Sequence, residues 1–203
     1  MKSISAVLVE TGKPLEVVEL GLPVLKPGQV LVEVKYSAVC HTQLLEARGH
    51  RGPDKFLPHV LGHEGSGVVR EVGPGVTKVK VDDAVVLSWI KGSGADIPGT
   101  TYDWNGRTVN SGAITTFGQY SVVSENRLTL LQPGVAMRDA SMLGCAVPTG
   151  FGVVFNTASP SPGQSLAVFG AGGVGLCAVA AASIAGCTPV IAVDVLEIGR
   201  AHV

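Results

Sequence analysis

Charge is scarce in this sequence. Lys, Arg, Asp and Glu make up 15% of the 203 residues and leave a formal net charge of −1, so no basic patch is available to hold a nucleic-acid backbone. The opening MKSISAVLVETGKP has one early lysine and a short apolar run. It lacks the charged region, long apolar core and cleavage site of a secretory signal, which points to the cytoplasm. Cysteine is sparse as well. The four thiols, at positions 40, 145, 177 and 187, have none of the close spacings of a disulfide framework or a zinc ribbon, and each has to be judged on its own. What the chain does have is apolar residues, 46% of the total, enough for the cores of one or two domains.

One absence needs an explanation. From Ala140 through Val193 there is no Asp, Glu, Lys or Arg, and the apolar run from Ser165 to Val193 is long enough to resemble a membrane span. Its internal pattern excludes that reading. SLAVFG is a short β-rich run, a glycine cluster follows, then the small-residue segment LCAVAAASIAG, then Pro189, then VIAV. The order is strand, turn, helix, breaker, strand, and parallel strands buried on both faces read as continuous apolar runs. No membrane partner is expected.

The N-terminal part is patterned differently. Residues 4 to 36 alternate in the manner of strands, with turns at Thr11-Gly12-Lys13-Pro14 and Lys26-Pro27-Gly28. A short helix is expected at His41 to Arg48, and further strands at Ser66 to Glu71, Ala84 to Trp89 and Tyr120 to Val123. Lys91 to Gly112 reads as a long polar, glycine-rich loop. The fold class is therefore α/β overall: an antiparallel β-rich domain over residues 1–147, then the first β-α-β unit of a doubly wound parallel sheet over 148–196.

Gly170-Ala171-Gly172-Gly173-Val174-Gly175 is the strongest local motif. A GxGxxG alone is weak, but this one follows a strand pattern, opens a helix pattern, and is followed 24 residues after Gly170 by Asp194. Those are the contexts of a dinucleotide fingerprint. Gly170 makes the tight turn, Gly172 lets the backbone approach a pyrophosphate, and Gly175 lets helix and strand pack closely. The helix start at Gly173 and Val174 offers N–H groups to phosphates. Asp194 would accept hydrogen bonds from the ribose hydroxyls and repel a 2′-phosphate, favouring NAD over NADP.

A second stretch, Val39-Cys40-His41-Thr42-Gln43, sets a thiol, an imidazole and a hydroxyl side by side. If strand geometry persisted to its end, Cys40 and Thr42 would share a side, which suits a metal and an alcohol bound to it, while His41 could meet a cofactor phosphate. Further ligands stand at Leu61-Gly62-His63-Glu64-Gly65 and at Gly144-Cys145. Taken singly, Cys145 also reads as a small buried hydrophobe and His63 as a structural histidine. From the residues alone, both readings stay open.

These motifs, in the order KPGQVLVEVKYSAVCHT, PHVLGHEGSGVVREVGPGVTKVKVDD, FGQYSVV, GCAVPTGFG and VFGAGGVGL, run through nearly the whole chain. Together they resemble the zinc-dependent, medium-chain alcohol dehydrogenases. The resemblance implies a GroES-like catalytic domain joined to a Rossmann NAD-binding domain. It implies Cys40, His63 and Cys145 as ligands of one catalytic zinc, and Glu64 as the carboxylate beside the metal. By the same resemblance Thr42 takes the alcohol proton, His41 contacts the pyrophosphate, Thr149 lies beside the nicotinamide, and Trp89 walls the substrate pocket. The implied reaction is reversible hydride transfer between a primary or secondary alcohol and NAD. The implied partners are a small alcohol or aldehyde and, for the full-length form, a homodimeric or homotetrameric assembly. Zinc-free NAD(P)H reductases of the same superfamily and a non-catalytic binding protein of the same fold are the competing readings.

The sequence departs from that family in several places. Lys91 to Gly112 has no cysteine, so no structural zinc is expected. Gln43 stands where an aspartate often supports the ligating histidine, and Leu45 where some relatives have the histidine ending the proton relay. His50 and His59 are expected at the surface, and Cys177 and Cys187 as small core residues. A doubly wound domain uses six strands, whereas only two are readable here. Residues 197–203, EIGRAHV, read as a non-native tail on a truncated frame. The chain taken by itself is expected to expose a sheet edge and face and to turn over little alcohol.

Overall fold

A computed structural model of the chain describes residues 1–196, so the expected tail at 197–203 lies outside the described residues. The chain divides into two compact units, Met1–Cys145 and the residues from Ala146 on, against an expected division between 147 and 148.

The first unit is built from ten strands. β1 (Lys2–Leu8) and β2 (Glu16–Gly21) pair antiparallel across the expected turn. β3 (Gln29–Ser37) leads into helix α1 (His41–Ala47). The strands β4 (His59–Val60), β5 (Glu64–Val72), β6 (Ala84–Ser88), β7 (Thr101–Trp104), β8 (Arg107–Asn110), β9 (Tyr120–Ser124) and β10 (Leu128–Leu130) follow. They form a closed barrel in the order β1-β2-β7-β8-β4 and a five-stranded sheet in the order β10-β6-β5-β3-β9. Every pairing is antiparallel except β4 with β8.

Strand β3 shows why the two sheets hold together. Val30 and Val32 enter one core cluster with Val69, Val85, Leu87 and Leu128, while Leu31 enters the other with Val7, Leu20, Tyr102 and Val109. Alternating side chains point to opposite faces, so β3 is buried on both, and each large side chain it buries contributes about 1.5–3 kcal/mol. The β3–β5 register is broken between Val34 and Tyr36. Such a bulge bends and twists its strand, and it lies just before Cys40.

Lys91 to Gly112 is not the structureless loop expected from its composition, since it contains the β7–β8 hairpin. Asn105 and Gly106 at its tip take φ of 52° and 86°, the left-handed pair that a two-residue hairpin turn requires and that Asn-Gly supplies. Where many relatives of the resembled family would carry a cysteine lobe, the segment before that hairpin is tied down by a carboxylate. Glu125, 3% exposed, accepts hydrogen bonds from the backbone N–H groups of Thr77 (3.0 Å), Lys78 (3.1 Å) and Ala95 (2.9 Å). Burial pushes its carboxyl up, but those donors outweigh burial and hold it below the usual carboxylate range.

In chain order, α2 (Met137–Ala140) and a 3₁₀ turn over Ser141–Gly144 close the first unit. The second unit holds α3 (Ala146–Gly152), a π-helical extension over Val153–Ala158, β11 (Leu166–Phe169), α4 (Gly173–Ile184) and β12 (Val190–Val193). The two strands pair in parallel from Leu166↔Val190 to Phe169↔Val193, giving the expected β-α-β unit. Its core is small: Val154, Ala178, Ala181, Ala182 and Cys187. Gly150 makes the α3–α4 contact possible, because a Cβ there would come within 2.5 Å of Cys177 Cβ and of the Val174 carbonyl oxygen. Among the described residues, no helix is long and apolar enough to cross a membrane.

Candidate metal centre and dinucleotide turn

Three separate turns of the first unit deliver the donor atoms. Cys40 is the N-cap residue of α1, in extended conformation with φ −87° and ψ 147°. His63 and Glu64 stand where β5 begins, and Cys145 follows the 3₁₀ turn over Ser141–Gly144. One ligand atom from each of Cys40, His63, Glu64 and Cys145 lies within 4.8 Å of every other.

Local chemistry explains the convergence. Gly62 takes φ +91°, a conformation open to glycine at little cost, and turns the chain into His63. The Glu64 carbonyl accepts hydrogen bonds from the Ala38 N–H (3.2 Å) and Thr116 Oγ1 (3.1 Å), and Ser37 Oγ donates to Thr116 Oγ1 (2.7 Å), which fixes the end of β3 against the start of β5. A Cβ on Gly144 would stand 2.8 Å from Glu64 Cα, so only glycine lets the Cys145 segment come so close to β5. Ser88, paired with Glu64 across the β5–β6 ladder, donates from Oγ to the Gly144 carbonyl at 2.7 Å.

The donor set fits a metal ion. His63 Nδ1 is engaged by the Gln43 side-chain amide, while Nε2 is buried with no hydrogen-bond partner. An unpartnered buried polar atom is costly, and a ligand position relieves that cost. Burial also lowers the His63 pKa, favouring the neutral imidazole that metals bind. Two thiols, an imidazole and a carboxylate form a set suited to a borderline-soft ion such as zinc.

The remaining expected residues fall as follows. Thr42, in the first turn of α1, has Oγ1 3.6 Å from Cys40 Sγ, so thiol and hydroxyl do share a side, through the helix start and not through strand alternation. His41 is exposed. Trp89 is 53% exposed, with its ring centroid 6.4 Å from that of His63 at an interplanar angle of 54°. Its carbonyl accepts a hydrogen bond from the Arg127 guanidinium, a buried contact that sequence patterning did not announce. A cavity of about 430 Å³ is lined by Gln43, Glu46, His59, His63 and Ser111, but not by Cys40, Thr42, Trp89 or Cys145. His59, expected at the surface, is only 8% exposed. Its short strand is flanked by β1 and β8, and its Nε2 lies 2.8 Å from Asp54 Oδ2.

In the second unit, Thr149 is half-buried in α3, Cys187 is buried and Cys177 partly so. Gly170 turns at φ +96°. A Cβ on Gly175 would collide with the Gly170 carbonyl oxygen, whereas Gly172 and Gly173 face open space with nothing within 4 Å. That is the cradle a pyrophosphate needs, and Val174 sits in the first helical turn above it. Asp194 accepts hydrogen bonds from the N–H groups of Leu196 (3.0 Å) and Ala171 (2.6 Å). Those donors hold its carboxyl below the usual range, so it remains anionic beside the turn.

Residues 26–133 match the alcohol dehydrogenase GroES-like domain family. The chain is 37% identical to the S-(hydroxymethyl)glutathione dehydrogenase of Synechocystis sp. over 96% of its own length and 59% of that protein's. It is 39% identical to the enzyme of the same name from Escherichia coli, with the same coverage. Among solved structures, an alcohol dehydrogenase zinc-binding domain protein from Burkholderia ambifaria superposes with a TM-score of 0.86 at 32% identity, covering 97% of this chain and 60% of that one. The benzyl alcohol dehydrogenase of Acinetobacter calcoaceticus gives 0.84 at 30% identity, with coverage of 97% and 59%. The chain thus spans about 59% of the length of the curated relatives it matches.

Proposed function

The chain belongs to the alcohol dehydrogenase family with a GroES-like domain, and on that premise we propose that it carries the catalytic metal centre and the dinucleotide turn of an NAD-linked, zinc-dependent alcohol dehydrogenase. The observation that carries the proposal is the convergence of Cys40, His63, Glu64 and Cys145, together with a His63 Nε2 that has no hydrogen-bond partner.

In this reading Cys40, His63 and Cys145 would hold one zinc, with Glu64 the carboxylate beside it. A zinc ion there supplies the Lewis acidity that brings an alcohol hydroxyl's pKa towards neutrality, and a nicotinamide supplies the hydride acceptor. The protein's own residues do the rest. Thr42 accepts the hydroxyl proton and passes it on, while the carbinol hydrogen leaves with its electron pair as hydride, so an alcohol becomes an aldehyde or ketone. A hydroxyl suffices at position 42 because no strong base is needed for a proton already acidified. Trp89 walls the substrate side. Thr149 and the turn from Gly170 to Gly175 hold the dinucleotide, and the anionic Asp194 selects NAD by repelling a 2′-phosphate. One zinc per chain, a cytoplasmic setting and a homodimeric or homotetrameric full-length protein belong to the same proposal.

The test begins with metal content. The purified chain is expected to hold one equivalent of zinc, and Cys40→Ala and His63→Ala are each expected to lose it; zinc retained by both variants would remove the metal-centre reading. Reduction of NAD and of NADP by primary and secondary alcohols is then followed by nicotinamide absorbance, in a complete protein carrying these residues. The same assay on the 203 residues alone is expected to show little turnover.

A further inference from the structure

We propose that Gln43 is a positioning residue that sets the metal affinity of the centre, holding it below the affinity a carboxylate would give at the same place. The inference rests on the metal-centre reading above. Gln43 is 4% exposed, and both heads of its amide are engaged. Oε1 accepts a hydrogen bond from the Cys40 backbone N–H at 3.2 Å, and Nε2 is against His63 Nδ1. One side chain therefore bridges two of the residues placed as metal ligands.

The bridge conflicts with a loaded site. An amide nitrogen only donates, so with Nε2 of Gln43 against His63 Nδ1 that ring nitrogen has to be the acceptor, which assigns the ring proton to His63 Nε2, buried and without a partner. For Nε2 to give its lone pair to a metal, the proton has to move to Nδ1, where it faces the amide N–H₂. Turning the amide over places Oε1 on Nδ1–H but sets the N–H₂ against the Cys40 N–H. The two donors approach opposite heads of the side chain, so one amide oxygen does not serve both. In either orientation a loaded centre leaves a part-buried N–H facing another donor. A carboxylate of the same shape accepts from both at once. Hydrogen-bond partners of metal-ligating histidines typically change metal affinity by about 10–100-fold. Gln43 thus makes a centre that releases and reacquires its metal more readily than its ligand set alone dictates.

The experiment compares the full chain with its Gln43→Glu variant. Co²⁺ is titrated into each metal-free protein, bound cobalt is read from thiolate-to-cobalt absorption, and a chelator of known affinity competes for it. The expected result is the same absorption band in both proteins, with cobalt held about 10–100-fold more tightly by Gln43→Glu. A change under about threefold, or weaker binding by the variant with the band intact, overturns the inference while leaving the metal centre standing. Absence of any cobalt or zinc binding by the unmodified chain overturns the metal centre and this inference together. A second measurement needs no variant. In the unmodified chain, nitrogen NMR is expected to show the His63 proton moving from Nε2 to Nδ1 on zinc addition, with displacement of the Gln43 side-chain amide resonances. An unmoved Gln43 amide in the zinc-loaded chain overturns the inference.

Discussion

The two units treat apolar surface in opposite ways. In the first, Val7, Leu20, Val30, Val32, Leu87 and Leu128 are each fully buried, because β3 of the five-stranded sheet sends Val30 and Val32 into its own sheet's core and Leu31 into the cluster it forms with the barrel. In the second, Phe169 is 80% exposed, Ile184 70% and Ile191 49%, and the sheet has only two strands among the described residues. The difference shows that burial comes from closure, not from apolar composition. The uncharged stretch of the chain leaves strand residues such as Phe169 and Ile191 in solvent, because among the described residues its two-stranded sheet has no second layer to cover both faces. The expectation of an exposed nucleotide-domain sheet face follows the same logic. The candidate metal centre lies in the closed unit, where its donors stand on turns at the ends of strands and helices. The open unit presents backbone in a glycine turn.

Four measurements would break or sharpen that comparison. Leu87→Ala, deep in the first unit, is expected to cost about 2–5 kcal/mol. Both tryptophans, Trp89 and Trp104, lie in that unit, so their fluorescence in a urea titration reports its unfolding, and a loss under about 1 kcal/mol would contradict a closely packed core. Native-state hydrogen exchange comes next. The amides paired between β3 and β5 are expected to exchange at least about a hundredfold more slowly than those paired between β11 and β12, and equal protection would mean that the open unit is as cooperative as the closed one.

Glu125→Gln is expected to cost about 1–3 kcal/mol, since one acceptor of the clamp on Thr77, Lys78 and Ala95 becomes a donor. The folded carboxyl lies below its ordinary value of 4.5, so its contribution is complete above that value and is lost as pH falls through the folded pKa. The variant should therefore show a flatter fall in stability on acidification; an unchanged acid slope would assign the clamp no electrostatic part. The smallest effect is at the β7–β8 turn. Gly106→Ala, at φ 86°, is expected to cost about 1 kcal/mol by the same fluorescence titration, and a stabilised variant would show that the turn is not held in the left-handed region.

Much of this could be read from residues, and the misses have identifiable causes. Strand alternation, the turn at Gly12 and the helix beginning at His41 are local matters, settled by neighbours in the chain, and the structure has them where they were expected. The overall composition of Lys91 to Gly112 reads as a loop, and one dipeptide overrides it. Asn105-Gly106 was the hairpin signal, flanked by Trp104 and by Arg107, whose guanidinium lies 5.6 Å from the Trp104 ring centroid. Burial of His59 is not legible in the sequence because a lone histidine carries no signal of its partner, and Asp54 reaches it only through a turn of chain.

By itself the sequence determined the elements, the glycine turn with Asp194 at the end of the following strand, and which side chains were able to bind a metal. Those depend on backbone preference and on spacings of a few residues, which act within a single turn or strand. Only the tertiary structure decided that Cys40, His63, Glu64 and Cys145 meet, that Nε2 of His63 is the unpartnered atom, and that Gln43 bridges Cys40 and His63. Cys40 and Cys145 are separated by 105 positions. Their meeting depends on a β3–β5 register and on a Gly144 approach to Glu64 that exist only once the sheet has closed.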